Sequence, residues 1–137
     1  MLSSLEYIEK LRKSGLRPTK QRIKICEVLF DTKKTFHFTI SDLVKLIEIK
    51  ANEKISLATV YNTIHAFEKK GYLKEISINS NQTYFDTNTT NHHHFFDEKL
   101  KELIDLEDEY VEPVKIKKTI PGKKIKSVEV LVKIDSE

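Results

Sequence analysis

A single cysteine, Cys26, stands among the 137 residues, and this removes two ways of stapling a small protein. One thiol cannot form an internal disulfide, and a thiolate-only zinc site needs three or four of them. Long apolar runs are missing as well. No window approaches eighteen consecutive apolar residues, and the opening MLSSLEYIEKLRKSG mixes charge into its apolar positions. Neither a membrane-spanning helix nor a secretory signal is expected, so the expectation is a cytoplasmic chain with no membrane partner. Glycine and proline number only three each, and the chain is 39% hydrophobic and 33% charged. That is the composition of an ordinary folded protein rather than a disordered one. At this length it can bury one good core or two very small ones, and the second would need a partner.

The net charge of +3 conceals an asymmetry. Residues 1–85 carry 15 Lys/Arg against 9 Asp/Glu, whereas residues 86–137 carry 9 against 12, giving +6 and −3. A basic first half suits contact with a polyanion, and the acidic second half implies a different task, although two solvated surfaces would show the same split.

Periodicity predicts four short helices in the first seventy residues. Ser4 can cap the first, with Leu5, Ile8 and Leu11 on one face and Gly15 as its stop. Thr19, after Pro18, caps a second that carries Ile23, Cys26 and Phe30 inward and ends near Asp31, which makes Cys26 a core residue. Thr39 with Asp42 resembles a capping box opening a third through Lys50. Ser56 opens the fourth, Leu57 to Lys70, with Leu57, Val60, Ile64 and Phe67 inward and Gly71 as terminator. The period then changes from 3.6 to 2 over residues 73–85, which reads as a β-hairpin around Asn79-Ser80-Asn81. Helices followed by a hairpin in a basic segment give the order of a winged helix-turn-helix domain. A helical adaptor or a protein-binding winged helix has the same order, so the outward face of the last helix must decide.

That face offers Ser56, Ala58, Thr59, Tyr61, Asn62 and His65, small or hydrogen-bonding residues with no acid among them. A major-groove reader needs slim donors and acceptors for base edges and flanking cations for phosphates. Tyr61 and Asn62 suit the bases. Arg17, Lys20, Arg22, Lys69, Lys70 and Lys74 on neighbouring elements suit phosphates.

Three of the five histidines, His92, His93 and His94, stand together after the polar segment 86–91. On a strand His92 and His94 point to one face and His93 to the other, so one metal would take the first and third and find further ligands elsewhere. Neutral imidazole suits zinc, ferrous iron or haem iron. A solvated histidine run on an edge strand is the alternative.

The segments Gly15-Leu16-Arg17-Pro18-Thr19-Lys20-Gln21-Arg22 and Ser56-Leu57-Ala58-Thr59-Val60-Tyr61-Asn62-Thr63 resemble the two helix signatures of the ferric uptake regulator family. The stretch from Thr83 to Asn88, followed by Asn91 to Phe96, resembles that family's iron response regulator branch. The resemblance implies an α+β protein: a winged-helix domain over 1–85, a hinge at 86–91, and a small β-rich dimerisation and sensing domain, α/β in relatives, over 92–137. It implies an iron-responsive repressor, not an enzyme, that binds a palindromic, AT-rich double-stranded operator as a homodimer. The DNA contacts assigned on the helix face and its flanks are Arg17, Lys20, Arg22, Ser56, Ala58, Thr59, Tyr61 and Asn62. The metal ligands carried over are His37, Asp86, His92, His94 and Asp105, for Fe2+, Mn2+ or Zn2+; Asp86 and Asp105 stand where glutamates are common. Haem at His92, His93 and His94 is the alternative effector, without a Cys-Pro haem motif. A second site is weakly implied by His93 and Glu112, with Asn91 where a histidine is usual. The structural zinc site of many relatives is missing, since Asp97-Glu98-Lys99-Leu100 replaces its cysteines.

Residues 103–106 and the alternating Val128, Val130, Val132 and Ile134 give strand signals, while Tyr110–Thr119 favours extended chain over the helix of many relatives. Two or three strands with few apolar partners are marginal alone, which argues for pairing with a second copy. Two rivals from other classes remain. A metalloenzyme would need an acid/base pair near the histidines and room for substrate. A metal- or haem-binding buffer without operator binding would need neither Tyr61 nor Asn62.

Overall fold

The computed structural model describes residues 4–137. It divides after Thr89 into two compact units, each with its own three-stranded sheet.

The first unit holds α1 (Ser4–Lys13), α2 (Lys20–Phe30), β1 (His37–Phe38), α3 (Ile40–Ala51), α4 (Leu57–Lys70), β2 (Lys74–Asn79) and β3 (Gln82–Asp86). The helix boundaries follow from side-chain caps. Thr39 and Asp42 form a reciprocal capping box at α3, each side chain bonding the other's backbone N–H. Ser56 caps α4 by accepting from the Thr59 N–H, and Gly71 closes it at φ 86°. That left-handed conformation costs glycine nothing and a β-carbon a good deal. Ser4, the first described residue, is itself helical rather than the cap of α1. Its buried face is Tyr7 and Leu11, while Leu5 is exposed, because the i, i+4 row and not the row through Leu5 meets α2.

The core of this unit joins all four helices to the sheet through Leu11, Ile25, Leu29, Leu43, Ile47, Val60, Ile64, Phe67 and Phe85. Cys26 is completely buried within it. Lys10 of α1 lies 3.7 Å from the centroid of the Tyr72 ring and 4.7 Å from that of Phe30, which ties α1 down by cation–π contact. The sheet has the order β1-β3-β2 and is antiparallel throughout. β2 and β3 form the predicted hairpin, with a register irregularity between Ser77 and Asn79. This is a winged helix: α4 as the last helix, followed at once by the two-stranded wing.

The second unit holds β4 (His93–Asp97), β5 (Glu102–Leu106), a 3₁₀ turn (Asp108–Tyr110) and β6 (Leu131–Ile134). The sheet order is β5-β4-β6, with β4 and β5 antiparallel and β6 parallel to β4. Asp97 closes the β4–β5 turn: its Oδ1 accepts from the N–H groups of Lys99 and Leu100, both at 3.0 Å. A carboxylate thus closes the turn by bonding its own backbone neighbours. Residues 111–130 contain no helix or strand. Among the described residues no helix is long and apolar enough to cross a membrane.

Candidate nucleic-acid interface and metal centre

α4 presents Leu57, Ala58, Tyr61 and Asn62 outward, with Leu57 62% and Tyr61 51% exposed. Leu57 was expected in the inward stripe. At the first turn it projects past the end of the packed core, and an exposed apolar side chain at the head of a basic-flanked helix is a ready contact for thymine methyls. The spacing of Val60, Ile64 and Phe67, all buried, carries the stripe without it. Tyr61 is held by a neighbour that the sequence pattern did not single out as its support. Its ring lies 4.1 Å from that of His65, and His65 in turn meets Phe85 of β3 edge-on at 5.5 Å. Such stacking fixes an exposed aromatic ring without burying its hydroxyl.

Two of the expected DNA contacts also have work inside the fold. Ser56 donates its hydroxyl to Thr59 Oγ1 at 2.9 Å in addition to capping α4. Arg22 is half-buried, and its Nη1 donates to the Arg17 carbonyl at 2.9 Å, setting the entry to α2. Arg17 and Lys20 are exposed at that entry. An open groove of about 550 Å³ runs between α4 and the wing, lined by Ser41, Tyr61, His65, Glu75, Gln82 and Phe85 among others.

The carried-over metal ligands fall into two groups, one in each unit. In the first unit His37 and Asp86 are register partners across the β1–β3 ladder. Asp86 is 1% exposed, and its Oδ1 accepts from the Asn88 N–H at 2.9 Å.

In the second unit the pleat of β4 sorts the histidines. His92 and His94 turn toward Asp105 of β5, the register partner of His94. His92 Nε2 lies 3.6 Å and His94 Nε2 3.4 Å from Asp105 Oδ1, and the two imidazole centroids are 4.5 Å apart. One ligand atom from each of the three lies within 4.8 Å of the others. Two atoms each about 2.1 Å from a tetrahedral ion stand about 3.4 Å apart, so this spacing is compatible with a shared cation as well as with direct ion pairs to Asp105. The other ring nitrogen is also engaged. His92 Nδ1 stands 2.8 Å from the Thr90 carbonyl, which can only accept, so Nδ1 carries a proton and donates it there while Nε2 faces Asp105. The donor set is imidazole and carboxylate, suited to ferrous iron, manganese or zinc.

His93 turns the other way. Its Nε2 lies 3.0 Å from Asp108 Oδ1, and its Nδ1 accepts from the Val130 N–H at 2.9 Å. Both ring nitrogens are engaged, so the second site and the haem site that would use His93 lack a lone pair there.

Cys26 is not a reactive group. The thiolate is the nucleophile, and burial pushes this thiol up to about 12, with Lys10 nearby opposing the shift only in part.

The family profile described as "Ferric uptake regulator family" matches residues 13–134. A peroxide-responsive repressor of Staphylococcus epidermidis is 35% identical over 101 residues, 74% of this chain and 65% of that protein. The chain thus spans just under two thirds of that relative's length. The peroxide operon regulator of Bacillus subtilis is 34% identical over 101 residues, covering 74% of this chain and 68% of its own. Among solved structures, the ferric uptake regulator of Pseudomonas aeruginosa with manganese superposes with a TM-score of 0.67 at 23% identity, covering 96% of this chain and 98% of that one. A zinc-bound manganese uptake regulator gives 0.61 at 21% identity, covering 98% and 100%.

Proposed function

The chain belongs to the ferric uptake regulator family, and from that premise we propose that it is a metal-responsive, DNA-binding transcriptional repressor. The observation that carries the metal half is the convergence of His92, His94 and Asp105 at ligand spacing, with His92 Nδ1 already held by the Thr90 carbonyl. We assign His37 and Asp86 as the ligands that the first unit adds. A divalent ion bound by both units would supply positive charge to neutralise two carboxylates. It would also favour, by its differential affinity, the arrangement of the two units in which the ligands are all in reach. In a homodimer that arrangement sets the spacing of two α4 helices, and so whether they fit successive major grooves of a palindromic, AT-rich operator. Tyr61 and Asn62 read base edges; Arg17 and Lys20 hold phosphates.

Iron is the effector this reading favours. Haem, resting on His92, His93 and His94, is the weaker alternative because His93 is engaged at both nitrogens. The iron response regulator branch gains no support from the two relatives above, which are named for peroxide. Those names favour a second reading, a response to peroxide. In that case the thiol is not the target, since Cys26 is buried and protonated, and the oxidisable chemistry falls to the metal site.

The test is an anisotropy titration on a palindromic AT-rich duplex at fixed salt, repeated with manganese, ferrous iron, zinc and haem. A divalent ion should change operator affinity at least tenfold and haem should not. Metal binding with no operator affinity would replace the repressor by a metal buffer.

A further inference from the structure

Of the three adjacent histidines, the middle one does something the outer two do not. His93 is 4% exposed and stands at the head of β4, flanked in sequence by His92 and His94. Val130 donates its N–H to His93 Nδ1, so that nitrogen is unprotonated, and the proton on Nε2 is donated to Asp108 Oδ1. The carbonyl of the same Val130 accepts from the His94 N–H at 3.1 Å. One residue just before β6 is thereby gripped twice by the head of β4, once by a ring and once by backbone.

β6 has little else to hold it at that end. Among the described residues it pairs with β4 only, its residues Leu131, Val132 and Ile134 are half-buried, and it arrives after the long irregular connector 111–130. The 3₁₀ turn on the other side of the ring exposes Asp108 and buries none of its residues. Within one chain neither the connector nor the turn buries much apolar surface, which leaves the polar bridge through His93 as a specific attachment for both.

We propose that His93 is a positioning residue that latches β6 and the 3₁₀ turn onto the head of β4, and thereby holds His92 and His94 in place for the metal. The metal half of this inference rests on the reading of His92, His94 and Asp105 as ligands. It separates one histidine cluster into two jobs: the outer pair ligates, and the middle ring braces the strand from which the pair projects. Groups that orient ligands in this manner typically change metal affinity about 10–100-fold when removed, without being ligands themselves.

Three variants of the full chain test it, using Mn2+ titration followed by electron paramagnetic resonance and thermal melting of the metal-free protein. His93→Leu should bind the same number of Mn2+ ions per chain as the unaltered protein, about 10–100-fold more weakly, and should melt lower without metal. His93→Asn keeps an acceptor for Val130 but does not reach Asp108, and should fall between the two in both measurements. Asp108→Asn still accepts from Nε2–H and should match the unaltered protein. Should His93→Leu fail to fold, the other two variants carry the comparison. A His93 or Asp108 variant that binds fewer Mn2+ ions while melting normally would make the residue a ligand and overturn the proposal. So would His93 variants that match the unaltered protein in both melting and affinity. If the unaltered chain binds no Mn2+, the ligand reading fails, and metal-free melting still decides whether the latch exists.

Discussion

His37 and Asp86 face each other directly across the β1–β3 ladder, which sends both side chains to the same face of the first unit's sheet. Their placement does not depend on a metal, since the β1–β3 pairing and the Asn88 N–H already fix Asp86. Asp86→Asn retains that hydrogen bond and loses the charge. It should melt within a few degrees of the unaltered protein and bind Mn2+ at least tenfold more weakly. Asp86→Ala should lower both stability and affinity. Equal Mn2+ affinity in Asp86→Asn, measured by calorimetric titration, would remove Asp86 from the ligand set.

Base-reading and phosphate-holding residues on the first unit should fail in different ways. Asn62→Ala should cost about 1–3 kcal/mol of operator binding and relax the preference at one base pair. Lys20→Ala should weaken binding to every duplex alike and reduce the slope of log K against log salt by about 0.9. Anisotropy at four salt concentrations separates the two.

His65 should act on DNA through Tyr61, since it supports that ring without sharing its exposure. His65→Ala is expected to weaken operator binding severalfold, and His65→Phe, which keeps a ring against Phe85, to restore most of it. A DNA affinity unchanged in His65→Ala would show that Tyr61 does not need the brace.

The buried thiol gives a pH dependence whose sign is fixed. Burial raises Cys26 from its ordinary 9.0 to about 12, so the folded chain holds this proton more tightly than the unfolded one. The associated stability is complete below pH 9 and is lost as the pH rises toward about 12. Urea denaturation of Cys26→Ser and the unaltered chain between pH 8 and 11 should show a steeper alkaline decline in the latter, the remainder coming from Tyr7 and Tyr84, whose hydroxyls burial also holds protonated. A thiol reagent at pH 8 should label Cys26 only in denaturant.

Thr39→Ala removes half of a reciprocal capping box and should cost about 1 kcal/mol of stability. Its effect on metal and operator affinity should be no larger than that loss explains.

The helices of the first unit are legible because their signals are local. Thr39, Ser56 and Gly71 mark boundaries by bonds to their own backbone neighbours, and Val60, Ile64 and Phe67 repeat at a period that only a helix satisfies. Where the sequence reading departs, a neighbour distant along the chain decides. Leu57 has the right spacing for the stripe and still faces solvent, because the core ends before the helix does. Leu5 gives way to Tyr7 because α2 packs against the other side of α1. The separation of His93 from His92 and His94 follows from strand alternation, but the partners it acquires do not. Asp108 and Val130 lie 15 and 37 residues further along. No spacing rule links them to a histidine, and only the path of the connector brings them there.

The β4–β5 turn has a consequence for what the cell can do with this protein. Because Asp97 closes that turn with two backbone hydrogen bonds, the turn itself is held without an ion. Holding this turn and binding an ion at the proposed histidine site then draw on separate groups. A chelator or a fall in available metal should empty the histidine site while the sheet beside it stays assembled, so the ion-free chain persists as a state that can be refilled. On the proposed function, metal scarcity would thus be recorded as a reversible change in occupancy rather than as loss of the protein.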